Sequence, residues 1–248
     1  MLQTMHIMWR NVKWRFRHPV TIVMTLVQPL IWLLLYSSLL DKSMPGDYTG
    51  FILAGVVVLV IFSSAGSSGV ANYFSRQDGS FFRIHISPAG RGSIVMGHIL
   101  EAAVLALLEI TVLILTATLM SVTIAAGWAG WALLVLLLLT TIFFVGSLSY
   151  LLSLTLPDEN VFHTMMNTFV LPVFFVSTAL IPLDQVPDHF RTVVWLNPFT
   201  HVIDSLRNLT LSTQIDWPRY QLALLITLVL GLIFFALAVR RLKSAGRD

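Results

Sequence analysis

The stretch WALLVLLLLTTIFFVGSLSYLLSLTL, residues 131–156, decides the fold of this chain because it contains no charged residue. The hydrocarbon core of a bilayer is about 30 Å thick and takes about 20 apolar residues of helix to cross. A run of this length and composition therefore predicts a membrane-spanning helix. Five further runs of the same character fill most of the remaining sequence: residues 20–40, 51–71, 99–126, 161–181 and 220–239.

The bulk composition agrees with this prediction. Of the 248 residues, 56% are hydrophobic and 11% are charged, whereas soluble domains carry about 25% charged residues. We therefore predict an all-α membrane protein with six transmembrane helices and a single domain over residues 1–248. The chain has no cysteine, which excludes disulfides, thiolate metal sites and a cysteine nucleophile.

The basic residues between the runs predict the orientation of the chain. With six spans, one side of the membrane holds eleven of the fifteen lysines and arginines: Arg10, Lys13, Arg15, Arg17, Arg76, Arg83, Arg91, Arg240, Arg241, Lys243 and Arg247. The opposite side holds Lys42, Arg191, Arg207 and Arg219. Because basic residues concentrate in cytoplasmic loops, both termini are expected in the cytoplasm, and the expected location is the cell (inner) membrane.

Residues 4–18 predict an amphipathic helix ahead of the first span. The residues of its apolar side are Met5, Trp9, Val12 and Phe16, and those of its polar side are His6, Arg10, Lys13 and Arg17. A basic and aromatic helix beside a span suits the membrane interface, where it contacts anionic lipid headgroups. The alternative is a charged flank that only orients the first span.

Two connections between the runs are long enough to form structure of their own. On the cytoplasmic side, residues 76–90 alternate charged residues with phenylalanine and isoleucine, which predicts a short surface helix. Its aromatic residues need a partner, either the membrane surface or, as we favour, another protein. On the opposite side, within residues 182–219, Asn197 and Pro198 form a typical helix start. The helix that follows has an apolar face: Val202, Leu206 and Leu209. We expect it to be amphipathic or half-inserted.

Few polar or helix-breaking residues interrupt the runs. The small residues Ala65 and Gly69 lie four apart, a spacing that favours close helix packing, and Pro172 permits a kink. Glu101 lies near the cytoplasmic end of the third run, within reach of headgroup water. Glu109 falls near mid-depth, where an ionised acid costs about 3 kcal/mol, so we expect it to be protonated or hydrogen-bonded. Both a structural contact and a role with substrate or protons remain open for it.

The chain lacks the common motifs of hydrolytic chemistry. It contains no phosphate-binding loop, no HExxH zinc helix and no GxSxG nucleophile elbow. We therefore do not expect it to hydrolyse ATP or to bind a metal. The energy for any transport must come from an ion gradient or from another subunit.

Three segments in the second half of the chain resemble a known family. They are LPVFFVS at residues 171–177, IPLDQVP at 181–187 and WLNPFTHVIDSLR at 195–207. Together with Pro157-Asp158-Glu159, they resemble the signature of type-2 ABC transporter permeases, the transmembrane subunits of drug, lipid and polysaccharide exporters. In number and length of spans, the resemblance extends over the whole chain.

The resemblance implies roles for several groups of residues. Coupling to an ATPase subunit is implied for Arg76, Asp78, Gly79, Phe82, Arg83, Ser87 and Pro88. Contact of the N-terminal helix with that subunit is implied for Trp9, Arg10, Lys13 and Arg17. An outer gate is implied for Pro172, Pro182, Asn197, Pro198, Asp204 and Arg207. The substrate pathway is expected to include Phe51, Glu109, Asn167, Phe174 and Phe175.

The resemblance also implies the partners. Family members work as two permease copies, here expected as a homodimer, with two copies of a separate ATPase subunit that binds ATP and magnesium. The chain itself is expected to hold no cofactor and to bind no nucleic acid. Its expected function is export of a hydrophobic or amphipathic substrate, such as a drug, a lipid or a lipid-linked glycan. Two alternatives stay open: an ion-gradient-driven secondary carrier that uses Glu109, and a membrane-embedded assembly or immunity factor without transport.

Overall fold

The computed structural model describes residues 2–16, 19–40, 48–77, 79, 81, 90–120, 122, 125 and 127–244. Within these ranges the regular structure is helical and contains no strand, which confirms the predicted all-α class. The helices with described bounds are α1 (Leu2–Phe16), α2 (Pro19–Leu40), α3 (Tyr48–Gln77), α4 (Arg91–Leu119), α5 (Gly127–Thr155), α6 (Glu159–Phe175), α7 (Asp188–Leu196), α8 (Pro198–Leu211) and α9 (Trp217–Ser244). A short 3-10 turn, Leu183–Gln185, precedes α7.

Within the part of the chain that the structure describes, four helices are long and apolar enough to cross a membrane. They are α3, α4, α5 and α9, and they overlap four of the six predicted runs. The helix α2 carries a shorter apolar segment, Thr25–Ser38. The chain is therefore a multi-pass helical membrane protein.

The helix α3 lies at the centre of the fold. It packs against α2, α4, α5, α6 and α8, while α9 runs along the outer side of α5. Its sequence permits this position because it is apolar, rich in small residues and free of charge until Arg76. Buried residues therefore lie all around the helix rather than along one stripe.

Small residues allow the helices around α3 to approach closely. A Cβ atom on Gly69 would lie 2.6 Å from Ser149 Oγ, and one on Gly55 would lie 2.9 Å from the Cβ of Ala179. The hydroxyl of Ser149 also donates to the carbonyl oxygen of Ala65 at 2.6 Å. The close packing predicted from the spacing of Ala65 and Gly69 is confirmed.

The N-terminal helix differs from its predicted form. It spans Leu2–Phe16 rather than 4–18, and Arg17 lies outside the described residues. Met5, Trp9 and Phe16 are exposed as the pattern predicts, but Val12 is buried. The reason is that α1 packs against α4, where Ile7 lies over Gly97 so closely that a Cβ on the glycine would be 2.7 Å from Ile7 Cγ2.

The segment after α6 forms a compact unit of short helices. The predicted start of α8 is confirmed, since Asn197 is the N-cap and its Oδ1 accepts from Phe199 N at 3.0 Å. The predicted apolar face is buried: Val202, Leu206 and Leu209. The ring of Phe199 anchors α8 between α3 and α5, with centroids 4.8 Å from Phe62 and 5.5 Å from Phe144.

Candidate functional site

A carboxylate in α4 gathers polar side chains from α1 and α3. Glu101 is fully buried, and its Oε1 accepts a hydrogen bond from Arg15 Nε at 3.0 Å. Its Oε2 accepts from Asn11 Nδ2 at 3.1 Å and from Ser68 Oγ at 3.2 Å. The N-terminal helix is thus joined to two span helices through one acidic group.

A histidine completes this arrangement. The Nδ1 atom of His98 lies 3.4 Å from Asn11 Nδ2 and 3.8 Å from Glu101 Oε2. Its ring stacks on Tyr150 of α5 with a centroid distance of 4.7 Å. We call these residues the Glu101 network: Asn11, Arg15, Ser68, His98 and Glu101. Its geometry follows from helical spacing, because residues three or four apart share a face.

Burial makes the ion pair of the network energetically important. The side chain of Arg15 is only 4% exposed, and the expectation that Glu101 reaches headgroup water is wrong because α1 covers it. Removing one partner of a buried ion pair typically costs about 3–5 kcal/mol, since the other charge is left uncompensated. The pair therefore acts as a strong tether between α1 and α4.

A second carboxylate lies eight residues further along α4. The oxygens of Glu109 accept hydrogen bonds from Thr25 Oγ1 of α2 at 2.6 Å and from Ser64 Oγ of α3 at 2.7 Å. Of the two states predicted for this acid, protonated or hydrogen-bonded, the hydrogen-bonded one is therefore confirmed. Because Ser64 and Ser68 are four residues apart, one face of α3 serves both glutamates.

A pocket of about 440 Å³ lies between α2, α3 and α6. Its wall is largely apolar and aromatic, and it contains three of the predicted pathway residues: Asn167, Phe174 and Phe175. Glu109 is not among the described lining residues, although its hydrogen-bond donor Thr25 is. Phe51 lies away from this pocket, against Arg207.

Both acidic groups connect to the wall of this pocket. Ser67 lines the pocket and accepts a hydrogen bond from Arg15 Nη1, so it links the pocket to the Glu101 network. Thr25 links the pocket to Glu109 in the same way. The position of α1 and the shape of the pocket are therefore physically connected.

The predicted outer-gate residues form two tied groups. In the first, Asp204 and Arg207 pair at 3.2 Å, and Thr178 Oγ1 donates to Asp204 Oδ1 at 2.7 Å. The Arg207 guanidinium lies 3.4 Å from the ring centroid of Phe51 and donates to the carbonyl oxygens of Phe51 and Thr178. This group fastens α8 to the first turn of α3.

The second group closes the end of α6. Pro172 lies in the last turn of this helix, which ends at Phe175. The side-chain nitrogen of Asn197 donates to the carbonyl oxygens of Val173 and Val176, each at 2.7 Å. Asn197 therefore caps the end of α6 and the start of α8 with one amide. Pro198 begins α8, and Pro182 lines a separate cleft described below.

The predicted coupling residues are described only in part. Arg76 belongs to the last turn of α3, donates to the carbonyl oxygen of Ser153 at 3.0 Å and lies over the rings of Tyr73 and Phe81. Gly79 has a φ of 71°, in the left-handed region that favours glycine. Five of these residues lie outside the described ranges: Asp78, Phe82, Arg83, Ser87 and Pro88. Trp9, Arg10 and Lys13 are on exposed faces of α1.

Sequence reasoning missed the most connected residues of the site. The spacing of Asn11 and Arg15 could have pointed to them, because they lie four residues apart and on a different face of the helix from Arg10 and Lys13. A buried acid such as Glu101 also demands a partner. The contact between Arg15 and Glu101 joins residues that are 86 positions apart in the sequence, so it is a tertiary contact.

Several membrane helices that are joined by buried polar contacts around an apolar pocket define a multi-pass helical membrane protein. A model of the family described as ABC-2 type transporter matches residues 2–211. The chain belongs to this family. It is a membrane subunit of an ABC transporter, and membership implies that it works with an ABC ATPase subunit.

Similar proteins come from distant organisms. The chain is 27% identical over 233 residues to the transport permease ycf38 of Porphyra purpurea, covering 88% of this chain and 80% of that protein. It is 26% identical over 246 residues to nodulation protein J of Rhizobium leguminosarum bv. trifolii, covering 94% of this chain and 91% of that protein. It is 30% identical over 205 residues to ABC transporter G family member 20 of Dictyostelium discoideum, covering 81% of this chain and 28% of that longer protein.

Proposed function

We propose that this chain forms the substrate pathway of an ABC exporter as a homodimer, driven by two copies of a separate ATPase subunit that bind ATP and magnesium. The observation that carries the proposal is the pocket between α2, α3 and α6, whose wall is tied through Ser67 to the N-terminal helix. The substrate is hydrophobic or amphipathic, because the aromatic wall offers only a few polar groups, such as Gln28 and Asn167.

The proposal includes six membrane spans. In addition to the four helices that are long and apolar enough to cross a membrane, α2 and α6 would form the remaining two spans. With 22 residues, α2 reaches about 33 Å at the rise of an α-helix. With 17 residues, α6 reaches about 25 Å, and the turn that follows it extends the crossing. This count puts both termini in the cytoplasm together with most of the basic residues.

A second copy of the chain would close the open side of the pocket. Exposed apolar residues lie along α2 and α6, the two helices that flank the pocket: Val20, Val23, Val27, Ile31, Phe169, Leu171 and Phe175. A partner copy that packs on these helices would enclose the pocket between the two subunits. Lipid would cover those exposed apolar residues of α2 and α6 that the partner copy does not contact.

The N-terminal helix would transmit motion from the ATPase to the pocket. Its exposed faces carry Trp9, Arg10 and Lys13, which suit contact with headgroups and with a partner protein. Its inner face carries Arg15, which holds both Glu101 and Ser67. A push on α1 during ATP-driven closure would therefore reach the pocket wall through a single side chain. The segment 76–90 would provide the second contact with the ATPase.

The gradient-driven carrier is less well supported. A proton-coupling acid needs access to the transport pathway, whereas Glu109 is only 2% exposed and both of its oxygens accept hydrogen bonds. Glu109→Gln separates the two functions. The exporter is expected to keep transport in this variant, and the carrier would lose it.

Purification from mild detergent tests the proposed function. We expect a stoichiometric ATPase with a phosphate-binding loop to accompany the tagged protein, and light scattering to give the mass of two permeases with two ATPases. The purified complex in vesicles should accumulate fluorescent amphiphilic dyes only with ATP and magnesium. An ATPase-free oligomer that moves the dyes with an ion gradient would refute the exporter and favour the carrier.

A further inference from the structure

A second cavity, lined by different residues from those of the pathway pocket, lies beside the first turn of α3. It is a cleft of about 630 Å³ between α3, α8 and the start of α9. Its lining consists of Phe51, Pro182, Leu183, Arg191, Asp204, Arg207, Asn208, Leu211, Ser212 and Arg219. It shares no described lining residue with the pathway pocket. We call it the arginine cleft.

The charge of the arginine cleft is unusual for its side of the membrane. Only four basic residues fall on that side in the six-span arrangement, and three of them line this one cleft. A single described carboxylate, Asp204, lines it as well. The described lining thus gathers three arginines on the side where basic residues are scarce, and each of them is paired with one carboxylate.

The three arginines differ in how far they are engaged. Arg207 is held by Asp204, by two carbonyl oxygens and by the ring of Phe51, so it forms a fixed wall. Arg191 and Arg219 each pair with one described carboxylate three residues away, at 3.2 Å and 3.3 Å. Their side chains are 46% and 64% exposed, and such exposed pairs contribute little energy.

This difference leaves binding capacity in the cleft. A guanidinium has five N–H donors in a planar fork, and the described bonds of Arg191 and Arg219 use only some of them. Both side chains can therefore turn toward an anion, while Arg207 stays paired with Asp204 and forms the fixed wall. Arginine forks match the geometry of phosphate oxygens.

We propose that the arginine cleft binds a phosphate group, carried either by an anionic lipid or amphiphile or by free inorganic phosphate. Arg191 and Arg219 would hold the phosphate oxygens. Phe51, Leu183 and Leu211 would contact any apolar part of the molecule. This site goes beyond the proposed function, because it lies outside the pathway pocket and needs neither the ATPase nor transport.

The absence of cysteine from the chain allows a direct test. Ser212→Cys creates a single thiol in the cleft wall, and an environment-sensitive fluorophore on it reports occupancy of the purified permease in a neutral detergent. The probes are inorganic phosphate, dihexanoyl phosphatidylglycerol and, as the uncharged match, dihexanoylglycerol. Arg191→Gln and Arg219→Gln test the site. Arg240→Gln, at an exposed position near the end of α9, is the matched control for the loss of one charge.

We expect a saturable signal from a phosphate-bearing probe and none from dihexanoylglycerol. Each cleft variant should weaken the apparent affinity about tenfold, the loss of one charge-assisted hydrogen bond, and the control variant should not. A signal from phosphatidylglycerol alone would identify an amphiphile as the source, and a signal from inorganic phosphate would show that the group alone suffices. Equal signals from dihexanoylglycerol, no saturation, or unchanged affinity in both cleft variants would overturn the proposal.

Discussion

The ion pair between Arg15 and Glu101 offers the sharpest test of how α1 is held. In Arg15→Met the carboxylate stays buried and keeps two hydrogen bonds, from Asn11 and Ser68. The loss should therefore fall near the lower end of the range for breaking a buried pair, at about 3 kcal/mol of unfolding free energy. In Glu101→Gln the amide oxygen can still accept from Arg15 Nε, but the buried guanidinium loses its counter-charge, and we expect a loss of similar size.

The double variant separates the pair from its surroundings. Removing both charges in Arg15→Met with Glu101→Gln leaves no uncompensated buried charge. Its unfolding free energy should exceed the additive expectation by about 2–3 kcal/mol, the size of coupling seen between contacting residues. Lys13→Met on the exposed face of the same helix is the matched control and should change stability by less than about 0.5 kcal/mol.

Two assays measure the effect. Unfolding in mixed micelles with increasing sodium dodecyl sulfate gives the free energies. Disulfide trapping between cysteines placed by Ile7→Cys and Gly97→Cys measures whether α1 stays docked, because these positions are in direct contact. Single charge variants should trap more slowly than the parent, and the double variant should recover. Unchanged stability and trapping in both single variants would mean that apolar contacts alone hold α1.

Three further predictions concern the rest of the helix packing. Gly55→Leu should destabilise the protein by about 1–3 kcal/mol, because its Cβ would lie 2.9 Å from the Cβ of Ala179, as measured by unfolding in mixed micelles. Glu109→Leu should cost about 1–3 kcal/mol by leaving the buried hydroxyl of Ser64 without its acceptor, whereas Glu109→Gln should cost less than about 1 kcal/mol. Asn197→Ala should cost about 1–2 kcal/mol and speed hydrogen exchange at residues 173–176.

Each of these predictions has a control on the same element. Gly66→Ala should be tolerated, since its Cβ would meet only Met166 Cε at 3.7 Å. Asn167→Ala removes an exposed amide of α6 and should not alter exchange at the end of that helix. If Gly55→Leu proved as stable as Gly66→Ala, the close approach of α3 to Ala179 would not limit packing. If Glu109→Leu equalled Glu109→Gln, the hydroxyl contacts would contribute nothing.

The parts of the fold that could be predicted are those set by local hydrophobicity. Uninterrupted apolar runs predict α3, α5 and α9 because the lipid environment demands them regardless of tertiary context. The helix α4 was placed at 99–126, but it begins at Arg91 and ends at Leu119. Its first two turns mix polar residues and glycine with the buried Ile94 and Val95, and α1 packs on this helix, which hydropathy alone does not reveal.

The candidate site was harder to predict because it depends on which side chains from different helices bind each other. Glu109 was expected to be hydrogen-bonded from its depth alone, but nothing in the sequence selects Thr25 and Ser64 as donors. Arg15 was counted with the cytoplasmic basic residues that orient the first span. Its burial against Glu101 follows from the docking of α1 on α4, which the basic pattern of the sequence does not reveal.

Two polar ties at different depths hold α1 and α2 onto the same pair of helices. Within lipid the hydrophobic effect does not distinguish one helix neighbour from another, so packing and polar contacts decide the arrangement. Ser64 and Ser68 lie on one face of α3 and serve Glu109 and Glu101 respectively. Because Arg15 bonds both Glu101 of α4 and Ser67 in the pocket wall, a shift of α1 along α4 would strain a buried ion pair and a hydrogen bond to that wall together. The energetic cost of breaking the buried pair therefore opposes movement of α1 away from α4.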